Sequence, residues 1–374
     1  MAQKNNDNGK QQALLRNGEA GKQMNLLLIS SAKSWGGVKT WMLELTAFLL
    51  QRGHRAAIVC RPGDLLETEC AERGIHCIPF NFGMDFSPVT IARFVRLFRA
   101  EQTQLIITNI SKETRTAGIA AKMAGIAHVN RLGSFGDLKM TAKTRLIYSY
   151  CVDKVFVPSQ SLFDHFSRQE FLRPNLRMFH NAVELLPLHI PQNPVVKFAV
   201  LAKLSRRKQV DKVLHAFSRL QKLSWELHIG GFGPELKSLQ QRCRELGMQR
   251  RVFFTARKVN PYEFLRDKDA GILYSSSEAF GIAIIEYMTA SCAVIASNVG
   301  GIPEIITHEK NGLLVDPQNL DQLEQAVRRL LNDPQYRMEL ALKGHETVRK
   351  HFCRKAIFPR LEAELLKSLA MPHH

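Results

Sequence analysis

One run of thirty residues constrains the fold of this chain more than any other. From Ser275 to Glu304 it reads SSSEAFGIAIIEYMTASCAVIASNVGGIPE. Glu278 and Glu286 stand eight apart, with Ala279, Phe280 and Gly281 forming a loop between them and IAIIEYM following in helical style. CAVIAS reads as a short buried strand. NVGGIPE reads as a turn opening another helix. The N–H groups at a helix start suit an anion, and a glycine at 281 lets a ligand approach the backbone. A carboxylate before the turn binds hydroxyls, and one farther into the helix binds more. An anion flanked by two such acids describes a nucleotide sugar: sugar, diphosphate, ribose. Two glutamates eight apart, taken alone, describe only a solvated helix face; the whole run is far more specific.

The run resembles the donor-site signature of the retaining nucleotide-sugar glycosyltransferases of the GT-B fold, family 4. Their pattern is Glu, a Gly-Phe-Gly turn, a second Glu after seven intervening residues, a small-residue strand and a Gly-Gly-x-Pro-Glu turn. Glu278, Phe280, Gly281, Glu286, Gly300, Gly301, Pro303 and Glu304 match it, and Ala279 stands where the family usually has Gly. The resemblance implies an α/β fold of GT-B type, two Rossmann-like doubly wound domains facing a central cleft. It implies that Glu278 holds sugar hydroxyls and Glu286 the ribose. The amides near Phe280, Gly281 and Ile282 then face the diphosphate.

A chain of 374 residues is too long for one ordinary core, which agrees with two domains. Nothing reaches about 18 unbroken apolar residues, so no transmembrane helix is expected. The polar start lacks an apolar h-region and is not a secretory signal; residues 1–23 read as a disordered tail. Seven cysteines (Cys60, Cys70, Cys77, Cys151, Cys243, Cys292, Cys353) form no C-x-x-C pair. They read as free thiols of a reducing cytoplasm, with no zinc site. The net charge of +18 calls for a polyanionic partner. Nucleic acid, anionic membrane and phosphorylated glycolipid all qualify, but no zinc-finger, RNA-recognition or basic-zipper pattern appears.

Residues 24–186 read as the first, acceptor-binding domain. NLLLIS, a glycine turn, a helix and RAAIVC make a βαβ unit, without G-x-G-x-x-G. Gly36 and Gly37 stand at the first strand's carboxyl end, and the resemblance places a Gly-Gly turn there, facing the cleft. SPVTIARFVRLFRAEQ is a basic amphipathic helix, with Arg93, Arg96 and Arg99 three apart. It reads either as a core helix with a solvated arginine edge or as a dock for anionic lipid. Many family members carry a catalytic His in this domain. His128 enters a strand and points away, so Arg131, Asn109 and Lys112 are candidates by position, with Arg131 foremost.

Pro187, Pro191 and Pro194 mark a linker over 187–196. Residues 197–352 read as the nucleotide-sugar domain. The resemblance assigns the donor diphosphate to Lys203, which replaces an Arg and loses its bidentate fork, and to Lys208, which is retained. Arg206 and Arg207 lie between them. Gly231, in Gly231-Phe232-Gly233-Pro234, belongs to a turn facing the nucleotide, and 255–258 to the base. Residues 353–374 contain a helix that, by the resemblance, is expected to cross back to the first domain.

The expected chemistry is sugar transfer from a nucleotide diphosphate donor to an acceptor hydroxyl, with retention. No paired nucleophile of the retaining-glycosidase kind is seen. Catalysis then rests on Lys203, Lys208 and the loop amides stabilising the departing diphosphate, with Glu278 on the sugar. No metal and no cofactor are expected. The acceptor is an anionic glycan or a lipid-linked one, with peripheral contact at the inner face of the cytoplasmic membrane. The rival readings are a GT-B sugar-nucleotide epimerase, a phosphorylase, and a non-catalytic GT-B module binding polyanions.

Overall fold

The computed structural model of the protein describes residues 23–370. The tail read over 1–23 therefore lies outside the described residues, apart from Gln23. Apolar runs such as NLLLI and LIIT become strands because both their faces are covered by helices. In chain order the first unit contains β1 (Asn25–Ile29), α1 (Gly37–Gln51), β2 (Arg55–Cys60), α2 (Leu65–Glu72), β3 (Cys77–Pro79), α3 (Pro88–Ala100) and β4 (Leu105–Thr108). It continues with α4 (Ser111–Ala124), β5 (Ala127–Arg131), α5 (Ala142–Cys151), β6 (Lys154–Val157), α6 (Gln160–Ser167) and β7 (Leu176–Met178). Its sheet is parallel throughout, in the order β3-β2-β1-β4-β5-β6-β7.

The second unit contains β8 (Val196–Leu201), α7 (Val210–Ser218), β9 (Trp225–Gly230), α8 (Leu236–Glu245), β10 (Val252–Phe254), α9 (Pro261–Leu265) and β11 (Ala270–Leu273). Then come α10 (Ile282–Thr289), β12 (Ala293–Ser297), β13 (Leu313–Val315), α11 (Leu320–Asn332) and α12 (Pro334–Thr347). Its parallel sheet has the order β10-β9-β8-β11-β12-β13. Local sequence sets the helix starts: Ser87 before Pro88 caps α3, Ser159 caps α6, and Asp333 before Pro334 caps α12.

Each sheet winds outward in both directions from a central strand pair, β1 and β4 in one and β8 and β11 in the other. A crevice opens outside the carboxyl ends of such a pair.

A last helix, α13 (Arg354–Leu369), packs on the first unit. Phe358 lies 5.3 Å from Phe48, and Glu362 meets His54 at 2.7 Å and Arg52 at 3.2 Å. The chain begins its passage to the second unit at Val183, ahead of the proline run. Val183 bridges Cys353, so the two crossings lie side by side. Leu186 N donates to Thr289 Oγ1 at 3.0 Å and His189 N to Ser291 Oγ at 3.2 Å. Among the described residues no helix is long and apolar enough to cross a membrane.

Candidate active site

The crevice of the second sheet is lined by the loops after β8 and β11. The first loop makes a short 3-10 turn, Arg206–Lys208, before α7. That turn carries Lys208 onto Glu278, which the second loop supplies, and the two form an ion pair. Arg207 Nη1 reaches the same carboxylate at 3.1 Å and also donates to the Ser277 carbonyl. Glu278 is only 7% exposed. Burial pushes its pKa up, but Lys208 and Arg207 outweigh that and hold it below the usual carboxylate range. It is an anion on a cationic turn.

Gly281 follows at φ +95 and caps α10, whose first turn has no side-chain cap and begins at Ile282, opposite Gly37. Any side chain at 281 is strained. The Gly300-Gly301 turn buttresses this loop from behind. Gly300 sits at φ +55, and a Cβ on it would overlap the Glu278 carbonyl oxygen. Gly301 N donates to that oxygen at 3.3 Å. Glu286, a turn into α10, is also 7% exposed. Burial first, and then Glu44 of α1, raise its pKa to about 7, against a smaller opposing pull from Lys208.

The first domain faces this loop closely. A Cβ on Gly37 would lie 2.7 Å from Ile282 Cδ1, so the Gly36-Gly37 turn and the start of α10 oppose each other across the cleft. Lys258 crosses the cleft to pair with Glu69 and stands 3.4 Å from the Trp35 ring centroid, with Lys39 on the same ring at 5.9 Å. Lys39 is itself buried against Asp64 at 2.6 Å. Glu304 accepts from Gln160 N at 2.7 Å and Ser161 N at 2.9 Å, at the start of α6, and meets His180 at 3.3 Å. His180 also stacks on Phe280 at 5.5 Å.

The structure thus brings Lys208, Arg207, Glu278, Phe280, Gly281, Ile282, Glu286, Gly36 and Gly37 to one place. Others stand apart from it. Lys203 is exposed and makes no ion pair or hydrogen bond among the described residues. Gly231, at φ +129, answers a backbone demand: a Cβ there would strike the Ala202 carbonyl, so this turn supports the Lys203 loop. Arg131, the foremost first-domain candidate, is buried, and its Nη1 has no hydrogen-bond partner among the described residues. It lies 4.6 Å over Trp41 and donates to Asn181 at 2.6 Å, within the first domain. Burial lowers its pKa to about 10. Asn109 donates to the Ile29 carbonyl at the end of β1, and Lys112 to the Gly83 carbonyl in a loop. His128 is buried between Thr108 and the Cys151 carbonyl, and burial brings it down to about 4.

Trp35, Glu44 and His180 are cleft residues that reading the sequence did not single out, while Lys258 ends the 255–258 stretch that the resemblance gave to the base and pairs with Glu69. The only local signal was a tryptophan directly before Gly36-Gly37.

Two family profiles match consecutive parts of the chain: Glycosyltransferase Family 4 over residues 35–185 and Glycosyl transferases group 1 over 191–347. The lipopolysaccharide core biosynthesis glycosyltransferase LpsD of Rhizobium meliloti is 36% identical over 168 residues, covering 44% of this chain and 48% of LpsD. That match spans about half of the relative's length. LpsE of the same organism is 23% identical over 334 residues, covering 86% of this chain and 93% of LpsE. Among solved structures, a glycosyltransferase from Rickettsia africae superposes with a TM-score of 0.81 at 18% identity, covering 93% of this chain and 99% of its own. HepE of Anabaena, in complex with UDP-glucose, gives 0.80 at 18%, covering 92% and 100%. These likenesses show the fold, two doubly wound domains of GT-B type.

Proposed function

The chain belongs to the group 1 glycosyltransferases of family 4, and from that premise we propose that it transfers a sugar, with retention, from a nucleotide diphosphate donor to an acceptor hydroxyl. The carrying observation is the buried Lys208–Glu278 pair beside the Gly281-capped start of α10. A carboxylate held ionised on a cationic turn accepts hydrogen bonds from sugar hydroxyls. The same turn and the free N–H groups of α10 hold the diphosphate.

Departure of the nucleotide leaves negative charge on the phosphate oxygen that held the sugar. Lys208, Arg207 and the amides at Gly281 and Ile282 stabilise that charge without a metal ion. Lys203, exposed on the adjoining loop, adds a cation when the donor is bound. Glu286 accepts from the ribose. The acceptor hydroxyl gives its proton to the departing phosphate, so no protein base is required. Closure of the cleft by Lys258 on Trp35 and Glu69 keeps water from the sugar.

The acceptor we assign is an anionic glycan of the cell envelope, such as a lipopolysaccharide core. Its support is the relatives' names and the net charge of +18. The seven free cysteines favour a reducing compartment, on the cytoplasmic side of the membrane. Incubation with UDP-, GDP- and ADP-sugars, with nucleotide release and thermal shift as readouts, tests the transfer. One donor should give both signals in the wild type. Neither signal with any donor overturns the reading.

A further inference from the structure

The loop between Glu278 and Gly281 is held from two sides, and one of them is the first domain. Behind it, the Gly300-Gly301 turn leaves no space. A Cβ on Gly301 would lie 2.5 Å from the Ala279 carbonyl oxygen and 2.9 Å from Ser159 Cβ. The second of those neighbours follows β6 of the first domain and is fully buried. The Ser159 hydroxyl has two partners. It accepts from Leu162 N at 3.2 Å, which caps α6, and it donates its proton to the Ala279 carbonyl at 2.6 Å. One oxygen thus ends a helix of one domain and fixes a peptide of the other. The Ser87 hydroxyl that caps α3 bonds only to Thr90 N among the described residues, so capping alone does not call for the second bond.

The contact is a patch of several independent interactions. Ala279 packs against the apolar cluster of the first domain that includes Val157, Leu162 and Phe166. Phe280 is buried and stacks on His180, with ring planes 26° apart and centroids 5.5 Å apart. Phe352 lies 5.8 Å from the Phe280 ring and 5.3 Å from His180. His180 Nε2 stands 3.3 Å from Glu304, whose two oxygens take up Gln160 N and Ser161 N. Ala279 and Phe280 are therefore pinned by their carbonyl and their ring to first-domain atoms. Glu278 precedes them directly, and Gly281 and Ile282 follow. Planar peptides leave only two soft dihedrals per residue. The pinned atoms thus fix where the Glu278 carboxylate and the Gly281 and Ile282 amides point.

We propose that Ser159 and His180 are positioning residues for the transfer. Through Ala279 and Phe280 they set the loop that presents Glu278 to the sugar and the Gly281 and Ile282 amides to the diphosphate. They act through the loop and not on the donor itself. The proposal rests on this loop being the donor site, and it deepens that reading by giving the first domain a hold on donor-side geometry. A movement of the first domain that parts Ser159 from Ala279 slackens the loop, so the loop is in order only while the domains are joined here.

The test follows nucleotide release from whichever of the UDP-, GDP- and ADP-sugars the wild type turns over. Amide hydrogen exchange over residues 278–283 is read alongside, and melting confirms folding. Four variants of the full chain enter: Ser159→Ala, His180→Ala, His180→Phe, which keeps the stack, and Ser87→Ala, which removes only a helix cap. Ser159→Ala and His180→Ala should lower kcat about tenfold or more with the donor KM little changed. Exchange over 278–283 should rise about fivefold in both, as for one lost hydrogen bond. His180→Phe should recover most of the kcat lost in His180→Ala. Ser87→Ala should melt lower and keep the wild-type kcat and loop exchange. Wild-type kcat and exchange in both alanine variants overturns the proposal. So does faster exchange spread evenly over the chain, or a loss of kcat in Ser87→Ala that matches Ser159→Ala, since either means general loosening. A His180→Phe enzyme as slow as His180→Ala overturns the role of the stack. If the wild type releases nucleotide from no donor, the transferase reading falls, and the exchange pattern still decides whether Ser159 and His180 order the loop.

Discussion

Glu286 is where a single proton matters most. Its folded pKa of about 7 lies above the ordinary carboxylate value because of burial and then Glu44. Between the two values the folded chain binds more protons than the unfolded chain, so stability is lost as pH rises, and the loss is complete above about 7. Glu286→Gln should therefore melt higher than wild type at pH 8, by on the order of 2 kcal/mol, with the difference gone by about pH 4. An ionised Glu286 accepts ribose hydroxyls better than a neutral one. Nucleotide binding by the wild type should tighten as pH rises through 7, and that dependence should vanish in Glu286→Gln; calorimetric titration at pH 6 and 8 reads both. Gly300→Ala should cost about 1–3 kcal/mol and weaken nucleotide binding. It combines a positive φ with a clash against the Glu278 carbonyl. Wild-type melting and affinity would show that the turn yields freely.

The donor loop was legible in the sequence at the scale of elements, because each part is local. A glycine at φ +95, a helix start and a small-residue strand lie within one run. The cations facing it were named only through the family resemblance, which gave Lys203 and Lys208 the same role. The 3-10 turn at Arg206–Lys208 sends Lys208 inward and leaves Lys203 in solvent, a choice made by turn geometry and not by charge. Arg131 shows the same limit. It ends β5 as read, yet the strand's alternation turns its side chain against Trp41 of α1. Lys208→Ala leaves Arg207 as the sole cation on a buried carboxylate. It should lower kcat roughly 10²–10³-fold, whereas Arg131→Lys should act mainly through stability. A Lys208→Ala enzyme with wild-type kcat would remove the pair from the mechanism.

For the whole molecule, the two-domain division follows from chain length and the proline run, and the returning last helix was expected only through the family resemblance. The closure of the cleft follows from neither. Trp35 and Lys258 are more than two hundred residues apart, and nothing local says that they meet. Their contact, with Glu69, couples the domains only when they are close. Lys258→Ala should shift the free enzyme toward an open form, seen as a larger radius of gyration in small-angle scattering. A nucleotide sugar should restore compaction through Gly37 and Ile282. An unchanged radius would mean that α13 and the Glu304–α6 contacts alone hold the domains together.

The most direct measurement is turnover of a panel of nucleotide diphosphate sugars by the wild type and by Lys208→Ala, with nucleotide release followed and folding checked by melting. The expected result is release from at least one donor by the wild type, lost in the folded variant. Release that Lys208→Ala leaves intact would contradict the assignment of the Lys208–Glu278 crevice as the donor site.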